Sequence, residues 1–192
     1  MTRPYHHGDL RRTLLAAAVD AIAESGPTAL SLRDLARRAG VSHAAPAHHF
    51  GDKAGLLTAL AAQGYDLLAD ALDAARERTG SLLEIGVAYV RFAVDHRAHF
   101  DVMFRPDLYH ADDAELTAAA GRASAALAAG VATLPPGSAP VGREAFLAGL
   151  SAWSIVHGFA TLWLSGALPP DLGDDPESAA RAVIRRLFYE PE

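Results

Sequence analysis

The chain has 192 residues, 51% of them hydrophobic, and a formal net charge of −6. That is enough apolar material for one compact unit or two small ones. The absence of cysteine excludes disulfides, thiol catalysis and thiolate metal sites, and suits a reducing compartment. The start, MTRPYHHGDLRR, has no apolar run of the signal-peptide kind, so a cytoplasmic location is expected.

Apolar periodicity predicts an all-α chain of about nine helices, three in an N-terminal head and six in a C-terminal body. The first covers residues 8–25, with Leu10, Leu14, Ala17, Ala18, Ala21 and Ile22 on one face. Gly26-Pro27 ends it. Leu32, Leu35, Ala36 and Ala39 make one face of a second, short helix, with Ser31 as its N-cap. Gly40 suits the left-handed residue that closes a helix. Val41 fills the angle, and Ser42 caps a third helix. Pro46 then stands fourth in that helix and costs one early intrahelical bond. Gly51-Asp52 breaks the chain before a long helix over 53–79. Gly80 ends it and Ser81 caps the next. Further helices are predicted over 82–97, 99–104, 111–134, 141–166 and 177–189, with loops at 135–140 (PPGSAP) and 168–176. The pairs Asp112-Asp113 and Asp174-Asp175 read as solvated loop surface. There is no strand-like alternation and no repeat of roughly 20–50 residues.

Two short helices about a tight turn form a helix-turn-helix, whose second helix fits the DNA major groove. Charge distribution bears on this. Residues 1–53 carry seven bases (Arg3, Arg11, Arg12, Arg33, Arg37, Arg38, Lys53) and five acids (Asp9, Asp20, Glu24, Asp34, Asp52), a net of +2. The other 139 residues therefore carry −8. A mildly basic head on an acidic body is the asymmetry expected of a DNA reader.

The order Ala36, Ala39-Gly40-Val41-Ser42, His49-Phe50, Lys53 and Leu56-Leu57 resembles the tetracycline-repressor (TetR) family of one-component transcription regulators. The resemblance is specific in the first 57 residues and loose beyond them. It implies a DNA-binding domain over 1–53 and a ligand-binding and dimerisation domain over 54–192. The family has an aromatic, most often Tyr, two places before the His-Phe pair, commonly preceded by Leu; here those places hold Ala47 and Pro46. The leader RPYHHGDLRRTLL also recurs in some members, where a basic arm touches DNA. Arg3 and Tyr5 are the candidates, against a frayed tail.

Ser42, His43, Ala44, Ala45, Ala47, His48 and His49 are the DNA-facing candidates of the turn and recognition helix. Alanines can meet only thymine methyls, whereas His43 and His48 can donate to bases or phosphates. The segment has no Arg, Asn or Gln for bidentate base contacts, so phosphates and DNA shape should carry more of the recognition. Ser31, Arg33 and Lys53 are phosphate candidates. Phe50 reads as core, and His49 either as a capping or packing group or as a phosphate contact.

From 145 to 170 there is no charged residue. The run is long enough to span a bilayer. It lacks flanking Lys or Arg clusters and is interrupted by Ser151, Ser154, His157, Thr161 and Ser165, so a buried helix of an oligomer is the preferred reading and no membrane is expected. One of its stripes is Phe146, Leu150, Trp153, His157, Ala160 and Leu164; another is Ala145, Gly149, Ala152, Val156, Phe159 and Trp163. The pattern does not say which faces inward. Trp153, His157 and Gly158 resemble the Trp-His-Gly variant of the family's C-terminal domain.

The resemblance implies a homodimer through about 141–166 and 177–189, a double-stranded DNA operator, and a small-molecule effector bound in the body. Two heads about one DNA turn apart, ~34 Å, also bind better than one. The effector-lining candidates are Tyr89, Phe92, Phe100, Met103, Phe104, Trp153 and His157, each of which also suits a core. His157 can orient a ligand or be a satisfied core histidine. His96 and His99, at i, i+3 with Asp95, Asp101 and His110 nearby, could form a metal site; histidines at a helix junction are the preferred reading, and no metal or cofactor is expected. No phosphate loop, G-x-S-x-G elbow or H-E-x-x-H occurs, so no enzyme is expected. The resulting expectation is a sequence-specific repressor released by a largely apolar effector. The alternative is a helical small-molecule-binding protein with weak or lost DNA binding.

Overall fold

The computed structural model describes residues 7–134 and 141–188; Arg3, Tyr5 and the loop 135–140 lie outside them. Among the described residues there are nine α-helices and no strand. They are α1 (His7–Ala29), α2 (Leu32–Arg38), α3 (Ala45–Phe50), α4 (Lys53–Thr79), α5 (Leu82–Asp95), α6 (Arg97–Met103), α7 (Ala114–Val131), α8 (Arg143–Leu164) and α9 (Pro176–Phe188). A 3-10 turn, Pro170–Leu172, precedes α9. The chain divides into two compact units. One holds the chain up to Tyr65 with Arg97–Ala119; the other holds Asp66–His96 with the chain from Ala120 onward.

The first unit is built on the apolar face of α1. Leu14, Ala18 and Ile22 meet Leu35 of α2, Leu56, Leu57 and Leu60 of α4, and Val102 of α6 in one buried core. Burying such side chains is worth about 1.5–3 kcal/mol each. The predicted end of the first helix is real: Gly26 has φ 77° and ψ 163°, and a last helical turn resumes at Pro27. Helix α2 closes with Gly40 at φ 66°. Val41 N–H donates to the Ala36 carbonyl at 3.0 Å and Gly40 N–H to that of Arg37 at 3.3 Å. This pair of bonds satisfies the last carbonyls and fixes where the chain turns. Ser31 occupies the N-cap place, but its hydroxyl makes no capping bond.

Helix α3 begins later than its sequence suggests. Ser42 is not its N-cap; Ala44 is. The Ser42 carbonyl instead accepts from Ala45 N–H at 3.0 Å, and His43 and Ala44 lie in that turn. Pro46 is therefore the second residue of α3, and it is buried. A missing N–H there costs nothing, because first-turn donors have no helical partner.

Three aspartates start helices. Asp52 Oδ1 accepts from Gly55 N–H at 2.7 Å at α4. Asp113 Oδ1 accepts from Leu116 N–H at 2.9 Å at α7. At α9, Asp175 accepts from Glu177 N–H at 3.3 Å and Ser178 N–H at 3.2 Å. Asp113 and Asp175 are thus caps rather than mere solvated surface. Two phenols close α6: Tyr65 and Tyr109 both donate to the Met103 carbonyl at 2.9 Å. Burial pushes the Tyr65 phenol up to about 12.

In the second unit α5 packs on α8 and α9. Gly86 permits the approach: a Cβ there would lie 3.1 Å from Ile184 Cδ1 and 3.2 Å from Val156 Cγ1. Arg181 of α9 donates two bonds of 2.8 Å to the Glu84 carboxylate of α5. Ser81 caps α5 by accepting from Glu84 N–H at 3.4 Å. On α8 the stripe of Ala152, Val156 and Phe159 is buried. The other stripe turns out to be mixed. Ala160 is buried, while Phe146, Leu150 and Trp153 are 69%, 42% and 37% exposed.

Candidate nucleic-acid interface

The segment from Gly40 to Phe50 is held from behind by apolar contacts. Val41 and Phe50 pack on the core of the first unit, and buried Pro46 adds the inner face of α3. What remains outside is Ser42, His43, Ala44, Ala47 and His48, all exposed. Five of the DNA-facing candidates thus share the open side of the turn and α3. Ala45 and His49 are half-buried. His49 lines an open cleft of about 240 Å³ with Arg11, Phe50, Thr58, His110 and Asp113. The Arg11 guanidinium stands over the Phe50 ring, 5.4 Å from its centre, a favourable cation–π placement.

The cations around α2 differ in what they can offer an anion. Arg38 grips Glu24 of α1 with bonds of 2.9 and 2.7 Å and Asp34 with one of 2.8 Å. Arg37 donates to Asp34 at 2.6 Å. Hydrogen bonds from Arg38 hold both carboxyls below the usual carboxylate range. Arg38 therefore braces α2 against α1, while Arg37 pairs with Asp34 within α2. Arg33, exposed at the start of α2, makes no ion pair or hydrogen bond among the described residues. Lys53 is half-buried, and its Nζ donates to the Thr28 carbonyl at 2.6 Å. It ties α4 to the end of α1 while its other N–H groups stay available. Sequence reasoning missed the Arg38 brace because its partner Glu24 is distant in sequence.

The seven effector-lining candidates fall in both units. Phe100, Met103 and Phe104 belong to the first, where Phe100 and Met103 are buried and the Phe104 ring meets those of Phe100 and Tyr65. Tyr89, Phe92, Trp153 and His157 belong to the second. Trp153 Nε1–H donates to Tyr89 Oη at 3.2 Å, and Tyr89 Oη lies 3.0 Å from His157 Nδ1. Because indole only donates, the Tyr89 oxygen accepts from it; with His157 in the tautomer protonated at Nε2, the Tyr89 hydroxyl donates to Nδ1. Burial lowers the pKa of His157, which favours the neutral ring that such an acceptor requires.

Two matches decide the family. The family model described as "Bacterial regulatory proteins, tetR family" matches residues 14–60. The one described as "Tetracyclin repressor-like, C-terminal domain" matches residues 82–187. The chain belongs to the tetracycline-repressor (TetR) family. Its members are DNA-binding transcription regulators rather than enzymes, and this chain has both their helix-turn-helix domain and their C-terminal domain.

Solved structures agree. A Rhodococcus sp. RHA1 protein of unknown function is 35% identical, with a TM-score of 0.78 over 95% of each chain. PfmR of Thermus thermophilus, a TetR-family regulator, is 24% identical, with a TM-score of 0.67 over 93% of this chain and 98% of its own. FadR of Bacillus subtilis, solved with stearoyl-CoA, is 17% identical, with a TM-score of 0.67 over 94% and 99%. At those two identities the likeness is one of fold. No curated protein matches the sequence.

For a TetR-family chain the departures at Pro46 and Ala47 are local. Pro46 fits the first turn of α3 with no lost bond, and Ala47 leaves its place on the open side without a hydroxyl. Among the described residues, α8 is the one helix long and apolar enough to cross a membrane, and no three metal-ligating groups come together. Of the two histidines weighed for a metal, His99 is buried with Nε2 3.2 Å from Gln63 Oε1, and the His96 ring lies 5.2 Å from that of Phe92.

Proposed function

We propose that this TetR-family regulator is a cytoplasmic homodimeric repressor, released from its operator by a largely apolar small molecule bound in the C-terminal body. The observation that carries the DNA-reading part is the open side of the turn and α3. Its side chains are small or hydrogen-bonding, and it is backed by a rigid core. Residues 1–53 are the reading domain and 54–192 the sensing and dimerising one. Ser42, His43, Ala44, Ala47 and His48 face the groove, with Ala45 beside them. Ser31, Arg33, His49 and Lys53 approach phosphates, Arg33 with the most accessible charge.

Dimerisation through α8 and α9 is supported by Phe146, Leu147 and Leu150, which are apolar and exposed side by side on α8. A charge-free face of that kind is costly in water unless covered. For the effector, Tyr89, Phe92, Trp153 and His157 supply aromatic walls with one polar group, which is the usual make-up of a small-molecule site. They include two residues of the Trp-His-Gly pattern. FadR, a likeness of fold alone, is an example of this fold solved with stearoyl-CoA, a ligand with a long acyl chain. Effector binding would then favour a head spacing that mismatches the operator, a population shift coupling two sites. The alternative, a ligand-binding protein with weak or lost DNA binding, leans on Pro46 and Ala47; Pro46 in the first turn of α3 does the helix no harm, which leaves it Ala47 alone.

A reporter placed beside a DNA site selected by the protein tests the repressor role. Expression should fall when the protein is supplied and recover with a compound that also raises its melting temperature. Expression that rises instead would make the protein an activator. Recovery with no compound that binds the body would remove the effector from the account.

A further inference from the structure

The reading segment has an unusual charge inventory. From Ala39 to Asp52 there is no Lys and no Arg. Its exposed polar side chains are Ser42, His43, His48 and, at its end, Asp52. Any cation that this surface brings to DNA is therefore an imidazolium. Neutral imidazole has one donor and one acceptor; the protonated ring has two donors and a full charge. Histidine changes state between pH 5 and 8 when unperturbed, and a nearby polyanion favours the charged form.

The charged and titratable groups around the two exposed rings are few, and most are already engaged. On α3 itself the His48 ring meets only the His49 ring edge-on, centres 5.6 Å apart. On α2, Asp34 is taken by Arg37 and Arg38, and Arg33 stands exposed. On α1, Glu24 is taken by Arg38, and Arg11 lies over Phe50; Arg12 is the other cation there. At the start of α4, Asp52 caps Gly55 and lies 3.4 Å from His110 Nε2, while Lys53 is bound to Thr28. His110 and Asp113 of the connection after α6, with Glu115 at the start of α7, line the cleft beside His49. Among the described residues no carboxylate pairs with His43 or His48.

We propose that His43 and His48 are the specificity-determining residues of DNA recognition and that they act as proton-dependent readers. Protonated, they donate to the guanine N7 and O6 acceptors and to phosphates. Neutral, they lose the charge and one donor each, and with them part of the affinity and the preference for guanine. The inference rests on the DNA-reading assignment above and adds its chemistry.

The test uses the full chain and duplexes selected by it from a random-sequence library, separately at about pH 6 and about pH 8. At fixed ionic strength, affinity for the low-pH site should fall by roughly tenfold or more between those pH values. One unit of pKa change per ring on binding is a factor of ten. The double variant H43Q/H48Q should lose the slope, whatever its affinity at either pH, and each single variant should lose part of it. Guanines enriched at about pH 6 should be less enriched at about pH 8. Calorimetry of the wild-type complex in buffers of different ionisation enthalpy gives an independent reading, which should show net proton uptake near neutrality. Affinity that stays within about twofold across the range, absence of proton uptake, or an unchanged slope in the double variant would overturn the proposal. Failure to select any site at either pH would refute the DNA-reading assignment instead, and this inference with it.

Discussion

Replacing Gly55 by Ala tests whether the packing of α3 on α4 sets the reading surface. Gly55 lies in the first turn of α4 with its N–H on Asp52 Oδ1 at 2.7 Å. Its backbone has no positive φ, so alanine is conformationally allowed and only space is at issue. A Cβ there would stand inside the contact distance of the Phe50 carbonyl oxygen and 3.2 Å from its carbonyl carbon. That carbonyl is backbone at the last residue of α3, and it also accepts from Asp52 N–H at 3.0 Å. It cannot swing aside as a side chain could. Relief requires α3 and α4 to part, at the expense of the Asp52 cap, about 1 kcal/mol, and the turn bond, about 1 kcal/mol. Disturbed packing of Phe50 adds roughly 1–3 kcal/mol. The gain in helix propensity offsets about 1 kcal/mol. The net expectation is a loss of about 2–4 kcal/mol, or a fall in Tm of roughly 4–16 °C at roughly 2–4 °C per kcal/mol for a chain of this size. Gly121→Ala is the matched control. It lies inside α7, exposed, with nothing within 4 Å of the added carbon, so it should stabilise by up to about 1 kcal/mol. Thermal and denaturant unfolding measure both. A Gly55→Ala protein as stable as the parent, with unchanged DNA affinity, would refute the reasoning.

Tyr89→Phe removes the oxygen that accepts from Trp153 and meets His157; it should cost about 1–3 kcal/mol in denaturant unfolding, and a loss below ~0.3 kcal/mol would argue against the chain of bonds. Because burial holds the His157 pKa below its ordinary 6.5, the unfolded chain binds a proton that the folded unit resists. Stability should therefore fall as pH drops from about 6.5 toward the folded-state value. Unfolding measured across that range should show the decline in the parent and a shallower one in His157→Gln; equal slopes would assign the effect elsewhere. The double change Phe146→Asp with Leu150→Asp puts charge on the exposed face of α8 and should yield a folded monomer by sedimentation, whereas an unchanged dimer would move the interface away from that face.

The parts of the fold written in single residues were legible in advance. Gly40 announced a left-handed helix end, Gly26-Pro27 a break, and Gly80-Ser81 a helix boundary with a cap, because each depends on backbone chemistry that few other residues supply. The start of α3 was not. Ser42 is a good N-cap by type, but its carbonyl closes a turn with Ala45 first, and burial of Pro46 decides where the helix begins. The inward stripe of α8 was equally hidden. Both stripes are apolar, and the choice lies with Gly86 of α5, whose missing side chain admits Val156. The membership of α6 in the first unit rests on its packing against α1, for which a seven-residue helix carries no signal of its own. At the reading surface the residue types were visible, but their division into the exposed His43 and His48 and the cleft-lining His49 needed the tertiary fold.

The most direct test of the account is equilibrium binding of the full chain to its selected duplex against a scrambled one, titrated with salt. The account predicts a preference of about 10³-fold or more and an affinity that falls steeply with salt. Equal and weak binding to both duplexes would contradict it.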